Sequence, residues 1–237
     1  MPGNRQEGEF DRELERWAAS GSGVQVSPES QTRIRSELAA SLVPVKPIPS
    51  VRSLPRILFL VFALCAAGLI ATGDKAGFRL MTGRQIVVMA AILVTGGVLF
   101  SIALAYRMVP GSRRGFPMTV ALTLWGIGTA GGIAALFPWR SSAAFVSEGW
   151  PCGAQELIVA LGSAILFWLL AQRGALFEDA GLGATLAGLA ATLALLVLQF
   201  RCMFQNAPHL LVWHVMTAMT LIGVGALIGQ LKRSTGR

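Results

Sequence analysis

Apolar residues gather into six long runs, at residues 55–72, 85–106, 117–137, 154–171, 182–200 and 209–229, separated by short polar stretches. Each run is close to the roughly 20 residues with which an α-helix crosses about 30 Å of hydrocarbon, so the pattern predicts six spanning helices. No run is expected to carry a charge in its middle, because Arg56 and Glu156 stand at run ends, where long side chains reach water. The predicted fold class is an all-α polytopic membrane protein, six transmembrane helices preceded by a short helical N-terminal region. A cleaved signal peptide is not expected, since the first apolar run follows a long polar leader and is itself long enough to span.

The leader has its own periodicity. Phe10, Leu14 and Trp17 recur at spacings of four and three among charged residues, which places them on one helical face. Further on, Ser27 is placed as an N-cap with Pro28 at the first helical position, and Ile34, Leu38 and Leu42 follow four apart. Two helices of about three turns cannot bury such stripes alone, so each needs a partner to cover it; a loosely ordered tail is the plain alternative. Pro44, Pro47, Pro49 and Pro55 then read as a stiff extended spacer into the membrane.

Composition agrees with this picture, with 54% hydrophobic and 14% charged residues. The net charge of +8 raises the question of nucleic acid, but its placement answers it. Residues 1–56 hold eight basic and seven acidic side chains, and the rest of the excess flanks the apolar runs, as topology and lipid headgroups require. No nucleic-acid partner is expected. Six crossings put both termini on one side. Ten basic residues (Lys46, Arg52, Arg56, Arg107, Arg113, Arg114, Arg173, Lys232, Arg233, Arg237) lie near the membrane on that side, against five (Lys75, Arg79, Arg84, Arg140, Arg201) on the other. The bias of Lys and Arg toward cytoplasmic loops makes both termini cytoplasmic.

Candidate chemistry lies on the opposite side. Cys152 is expected just before the fourth span and Cys202 just after the fifth, so both thiols meet at one membrane face whatever the orientation. With the termini inside, that face is an oxidising space where disulfides persist, although bridging needs Cα atoms within about 7 Å. Cys152, Cys202, His209 and His214 are alternatively candidates for a soft-metal site. Against this, His209 and His214 are five apart, about 140° around an α-helix, and are expected to diverge as packing or interfacial residues. Cys65, in the middle of the first span, reads as a small core hydrophobe. A transient metal ion at the cysteine pair is the one cofactor these residues leave open. The spans lack the polar groups of a transporter, no Cys-x-x-Cys pair suggests a thiol oxidoreductase, and Gly-x-Ser-x-Gly and His-Glu-x-x-His are absent, so no enzyme activity is expected.

From about Ser27 onward, the stretch TRIRSELAASLVPVKPIPSVR, Cys152 after Gly-Trp-Pro, RGALFEDAGLGATLAGLAA, then Cys202 and HLLVWHVMTAMTLIGVGALIG resemble the NrsF-type family of six-span bacterial anti-sigma factors. The 50-residue separation of the cysteines and the Leu-Val-Trp-His segment are the most specific elements; Arg201 and Met203 stand where family members often have His and Pro. The resemblance implies a protein of the bacterial inner membrane whose leader holds an extracytoplasmic-function sigma factor inactive. Residues 34–45, with Ile34, Leu38, Leu42 and Val45, would contact the sigma factor, and the Phe10, Leu14 and Trp17 stripe, which lies ahead of the resemblance, is expected from its periodicity to aid them. It implies that Cys152 and Cys202 sense an oxidant or metal outside. The expected organisation is a cytoplasmic partner-binding region at 1–53, a sensor bundle at 54–230 and a cytoplasmic tail at 231–237. A tether for another cytoplasmic protein is the nearest rival reading, and the oligomeric state is left open.

Overall fold

A computed structural model describes residues 16, 27–41, 53–109, 118–172 and 179–235, the backbone alone at 38–41 and 235. The chain divides into two compact units, residues 1–47 and 48–237.

In the first unit, helix α1 spans Pro28–Ser41. Ser27 begins it: its Oγ accepts from the Ser30 N–H at 3.2 Å and its carbonyl accepts from Gln31 N–H at 3.0 Å, with Pro28 supplying a pre-set φ. An Arg33–Glu37 pair at 3.1 Å, one turn apart, lies on its exposed surface.

The second unit contains α2 (Leu54–Thr72), short α3 (Ala76–Leu80), α4 (Gly83–Arg107), α5 (Met118–Leu136), α6 (Phe145–Ala171), α7 (Ala180–Arg201), the single turn α8 (Ala207–His209), a π-helical segment at Leu210–Val215, and α9 (Met216–Thr235). Six helical segments are long and apolar enough to cross a membrane, α8 to α9 forming one of them, and no strand occurs among the described residues. The protein is an all-α, multi-pass membrane protein. Its exterior suits lipid: Ile127, Ile158, Ile165 and Leu227 are among many large apolar side chains left exposed on the spans.

Helix α7 is the axle. Its span is 83% buried, whereas no other exceeds 39%, so the remaining helices pack around it. Its sequence explains why, because Gly183, Gly188 and a series of alanines keep its surface close to its backbone. A Cβ on Gly183 would strike the Gly225 carbonyl of α9, and one on Gly229 would strike the Asp179 carbonyl. Thr192 donates to Gly188 O at 2.7 Å, and Thr185 donates to Gly181 O, so these buried hydroxyls are satisfied within their own helix. Gly183→Leu is therefore expected to cost at least about 1–3 kcal/mol, seen as a lowered thermal midpoint in detergent. Gly162→Leu should leave the midpoint unchanged, because a Cβ there meets nothing within 4 Å.

Polar groups tie the helix ends together. At one end, Thr82 and Gln85 form a reciprocal capping box, and Gln85 Nε2 donates to Leu136 O at 2.8 Å, joining the start of α4 to the end of α5. Arg201 also donates there to Leu69 O. At the other end, Asp179 caps α7 through Leu182 N–H and accepts from Arg107 Nη1 at 2.8 Å on both carboxylate oxygens.

Two expectations are corrected. Helix α6 begins at Phe145 rather than near 154, so Cys152 lies inside the helix, one residue after Pro151, and not ahead of it. The stretch Trp-Pro-Cys-Gly reads as loop punctuation, yet a proline only two turns into a helix deprives just the Ser147 carbonyl of its donor. In consequence Glu156 sits well inside α6, fully buried, rather than at a wet end.

Candidate functional site

Four ligand-bearing side chains from three helical segments converge at the end of the bundle that carries the Arg201–Leu69 contact. Cys152 comes from α6, Cys202 from the C-cap of α7, and His209 and His214 from α8 and the π-helical segment; their ligand atoms all lie within 4.8 Å of one another. Cys202, His209 and His214 are buried and Cys152 is partly so. The two sulfurs are 3.6 Å apart, and Cys202 Sγ lies 3.4 Å from His209 Nε2. All three cysteines are free thiols, with Cys65 half-buried in α2 and packed against the core, remote from the cluster in sequence and span.

Each member is held from its own backbone. Cys202 N–H closes the last turn of α7 on Leu198 O at 2.8 Å. The chain then turns sharply, clamped by Gln205, whose Nε2 donates to Cys202 O at 2.8 Å and Gln199 O at 3.1 Å, while Gln199 Nε2 donates back to Gln205 Oε1. The Phe204 N–H points at Cys202 Sγ from 3.4 Å. Asn206 caps α8 by accepting from His209 N–H at 3.0 Å, and Ala207 N–H donates to Pro138 O, which fixes the entry of the last helix.

The histidines do not diverge, which corrects the expectation drawn from α-helical geometry. Between them the backbone is π-helical, and Met216 N–H donates to Leu211 O, five residues back. In that geometry residues five apart stand nearly above one another, whereas 3.6 residues per turn would separate them by about 140°. The two imidazole centroids are 5.5 Å apart. Phe204 and Phe145 cover His209, at 5.1 and 6.4 Å between centroids, and Phe145 also meets Trp213. Trp213 lies against Gly149 and Gly153 of α6, so it packs between helices, whereas Trp139 and Trp150 are exposed.

Glu156 is the member that sequence reasoning missed. It stands one helical turn beyond Cys152 on α6 and accepts from His214 Nδ1–H at 2.8 Å. Both residues are buried, at 0% and 1% exposure, and the other atoms of the pair, Glu156 Oε1 and His214 Nε2, have no hydrogen-bond partner. An acidic residue within an apolar run, four after a cysteine, was the available signal. The imidazole is thus fixed by its Nδ1 side, which leaves the buried Nε2 as its remaining ligand position. The hydrogen bond that the Cys202 thiol donates to Cys152, together with burial, pushes Cys202 up from its ordinary pKa, so the pair yields its second proton reluctantly without a cation nearby. The arrangement suits two chemistries: coordination of a cation, or oxidation of a dithiol.

The remaining sequence-based candidates are less defined. Ile34 is 50% exposed on α1, consistent with a stripe awaiting a partner. Leu38 is on the helix, its side chain outside the described set, and Phe10, Leu14, Trp17, Leu42 and Val45 lie outside the described residues. Compared with protein-family models, with curated proteins and with solved structures, the chain matches none.

Proposed function

We propose that this chain is a membrane-bound anti-sigma factor that holds an extracytoplasmic-function sigma factor through residues 1–53. In this reading it lowers its grip when an oxidant or metal reaches the cysteine pair at the far end of the bundle. The observation that carries the sensing half is the 3.6 Å approach of Cys152 and Cys202, which come from different helices. Any reaction that joins or separates the sulfurs changes how α6 meets α7. Supporting the output half are the half-exposed Ile34 on α1 and the sequence resemblance of the leader. The basic-residue bias favours both termini cytoplasmic with the thiols facing outward, and the resemblance implies a bacterial inner membrane.

The mechanism has three parts. At rest, the Ile34, Leu38 and Leu42 stripe fills an apolar groove on the sigma factor, as an amphipathic helix does. Reaction at the thiols shifts α6 and the π-helical segment against α7. Rigid helices carry that shift across about 30 Å to the leader, and a coupling of about 1–3 kcal/mol would weaken binding about 5- to 150-fold.

The output is tested by tagging the full-length protein, purifying it from native membranes in mild detergent and identifying what accompanies it, beside a variant with Leu38→Asp and Leu42→Asp. A sigma factor retained by the native protein alone supports the reading. Another cytoplasmic protein lost from the variant would favour the tether reading, and identical company for both forms would remove the stripe's role.

A further inference from the structure

We infer that Cys152, Cys202, His209 and His214 form a tetrahedral binding site for Zn2+, with Glu156 as the residue that orients His214. The geometry leads to this ion. Ligands at about 2.3 Å for sulfur and about 2.0 Å for nitrogen, set at tetrahedral angles, stand about 3.75 Å apart for a sulfur pair and about 3.5 Å for sulfur and nitrogen. The observed edges are 3.6 Å between the sulfurs and 3.4 Å from Cys202 Sγ to His209 Nε2. No edge among the four exceeds 4.8 Å, so the remaining edges need close by at most about 1.5 Å to complete the shell.

The donor set and the charge select the metal. Two thiolates and two imidazoles are the ligands of a closed structural zinc site, and the complex they make with Zn2+ has no net charge. A monovalent soft ion would leave a negative centre beside the Glu156 carboxylate in a buried place, which is costly. Uptake balances as Zn2+ plus two thiols giving the neutral complex and two protons released to water. A further observation is that His214 Nε2 is buried without a geometric hydrogen-bond partner while Nδ1 is engaged by Glu156. Carboxylate, imidazole and metal in that order is the usual outer shell of a metal-bound histidine. The π-helical segment acquires a purpose as well, since it brings two histidines five apart to one ion.

This inference deepens the sensor reading and rests on it only for what the ion does; binding itself is read without any sigma factor. The full-length protein, purified in detergent with a non-thiol reductant, is assayed for zinc by mass spectrometry and, after exchange, for Co2+ by absorption. The expected result is one Zn2+ per chain and a Co2+ spectrum with thiolate charge-transfer and intense tetrahedral ligand-field bands. Cys152→Ser should abolish both. Glu156→Gln should keep the stoichiometry and the spectrum but weaken affinity about 10- to 100-fold in competition with a chelator, the signature of a positioning residue. Cys65→Ser, a conservative change away from the site, should alter nothing. Substoichiometric zinc indifferent to Cys152→Ser, or a Co2+ spectrum without thiolate charge transfer, would overturn the inference. A monodisperse, zinc-free protein whose Cys152 and Cys202 form a disulfide in the reductant would overturn it too. None of these outcomes bears on whether a sigma factor is bound.

Discussion

Replacing Cys152 and Cys202 together by serine is expected to leave the bundle folded and to remove the response to every oxidant and metal. Serine keeps nearly the size of cysteine, so the packing of α6 against α7 changes little. A hydroxyl neither forms a disulfide nor serves as a thiolate ligand at neutral pH, so the chemistry is lost while the scaffold stays. The whole induction, about 5- to 150-fold by the coupling expected of such a device, should vanish in a reporter read from a sigma-dependent promoter. Basal repression should be retained, because the proposed reading places the contacts with the partner in the leader. A reporter that still responds with both cysteines gone would place the sensor elsewhere. One that is fully active without a stimulus would mean the serines break the bundle, which the thermal midpoint of the purified variant would reveal.

His214→Leu is expected to be among the most destabilising single changes in the protein. Glu156 has no exposure to solvent, and His214 is the one hydrogen-bond partner its described environment supplies. Removing one member of a buried pair strands the other, with a cost of about 3–5 kcal/mol, whereas replacing both by apolar residues is often close to neutral. The double variant Glu156→Leu with His214→Leu should therefore recover most of the stability that His214→Leu loses. Thermal unfolding in detergent, followed by tryptophan fluorescence, measures this directly. If the double variant were as unstable as the two single losses summed, the pair would not be an isolated unit, and other groups would have to share its desolvation.

Much of this molecule is legible in its sequence, and the reasons for the exceptions are specific. The six spans are plain because bilayer thickness imposes one length on every apolar run. Ser27 with Pro28 announces α1 because both residues act through local backbone geometry. That Cys152 and Cys202 share an end follows from counting crossings, and the 3.6 Å contact is an instance of that parity, though parity cannot supply a distance. Three features escape. Pro151 hides the first turns of α6 because a proline near a helix start looks like a loop. Glu156 is misplaced as a result, its run being read as starting beside it. The convergence of His209 and His214 is hidden because a π-helical segment has no composition of its own. Applying 100° per residue across that segment gives the wrong face.

The proposed link between the cysteine pair and the leader is the central claim, and it is tested most directly by measuring the affinity of the proposed sigma-factor partner for the full-length protein in lipid nanodiscs. The measurement is made with the thiols reduced and metal-free, then after oxidation or addition of Zn2+, and again with Cys152→Ser and Cys202→Ser. The account predicts that at least one of the two treatments weakens binding about 5- to 150-fold in the native protein and leaves the serine variant unchanged. Equal affinity in every state of the native protein, with the thiols shown to have reacted or to have bound the ion, would contradict it.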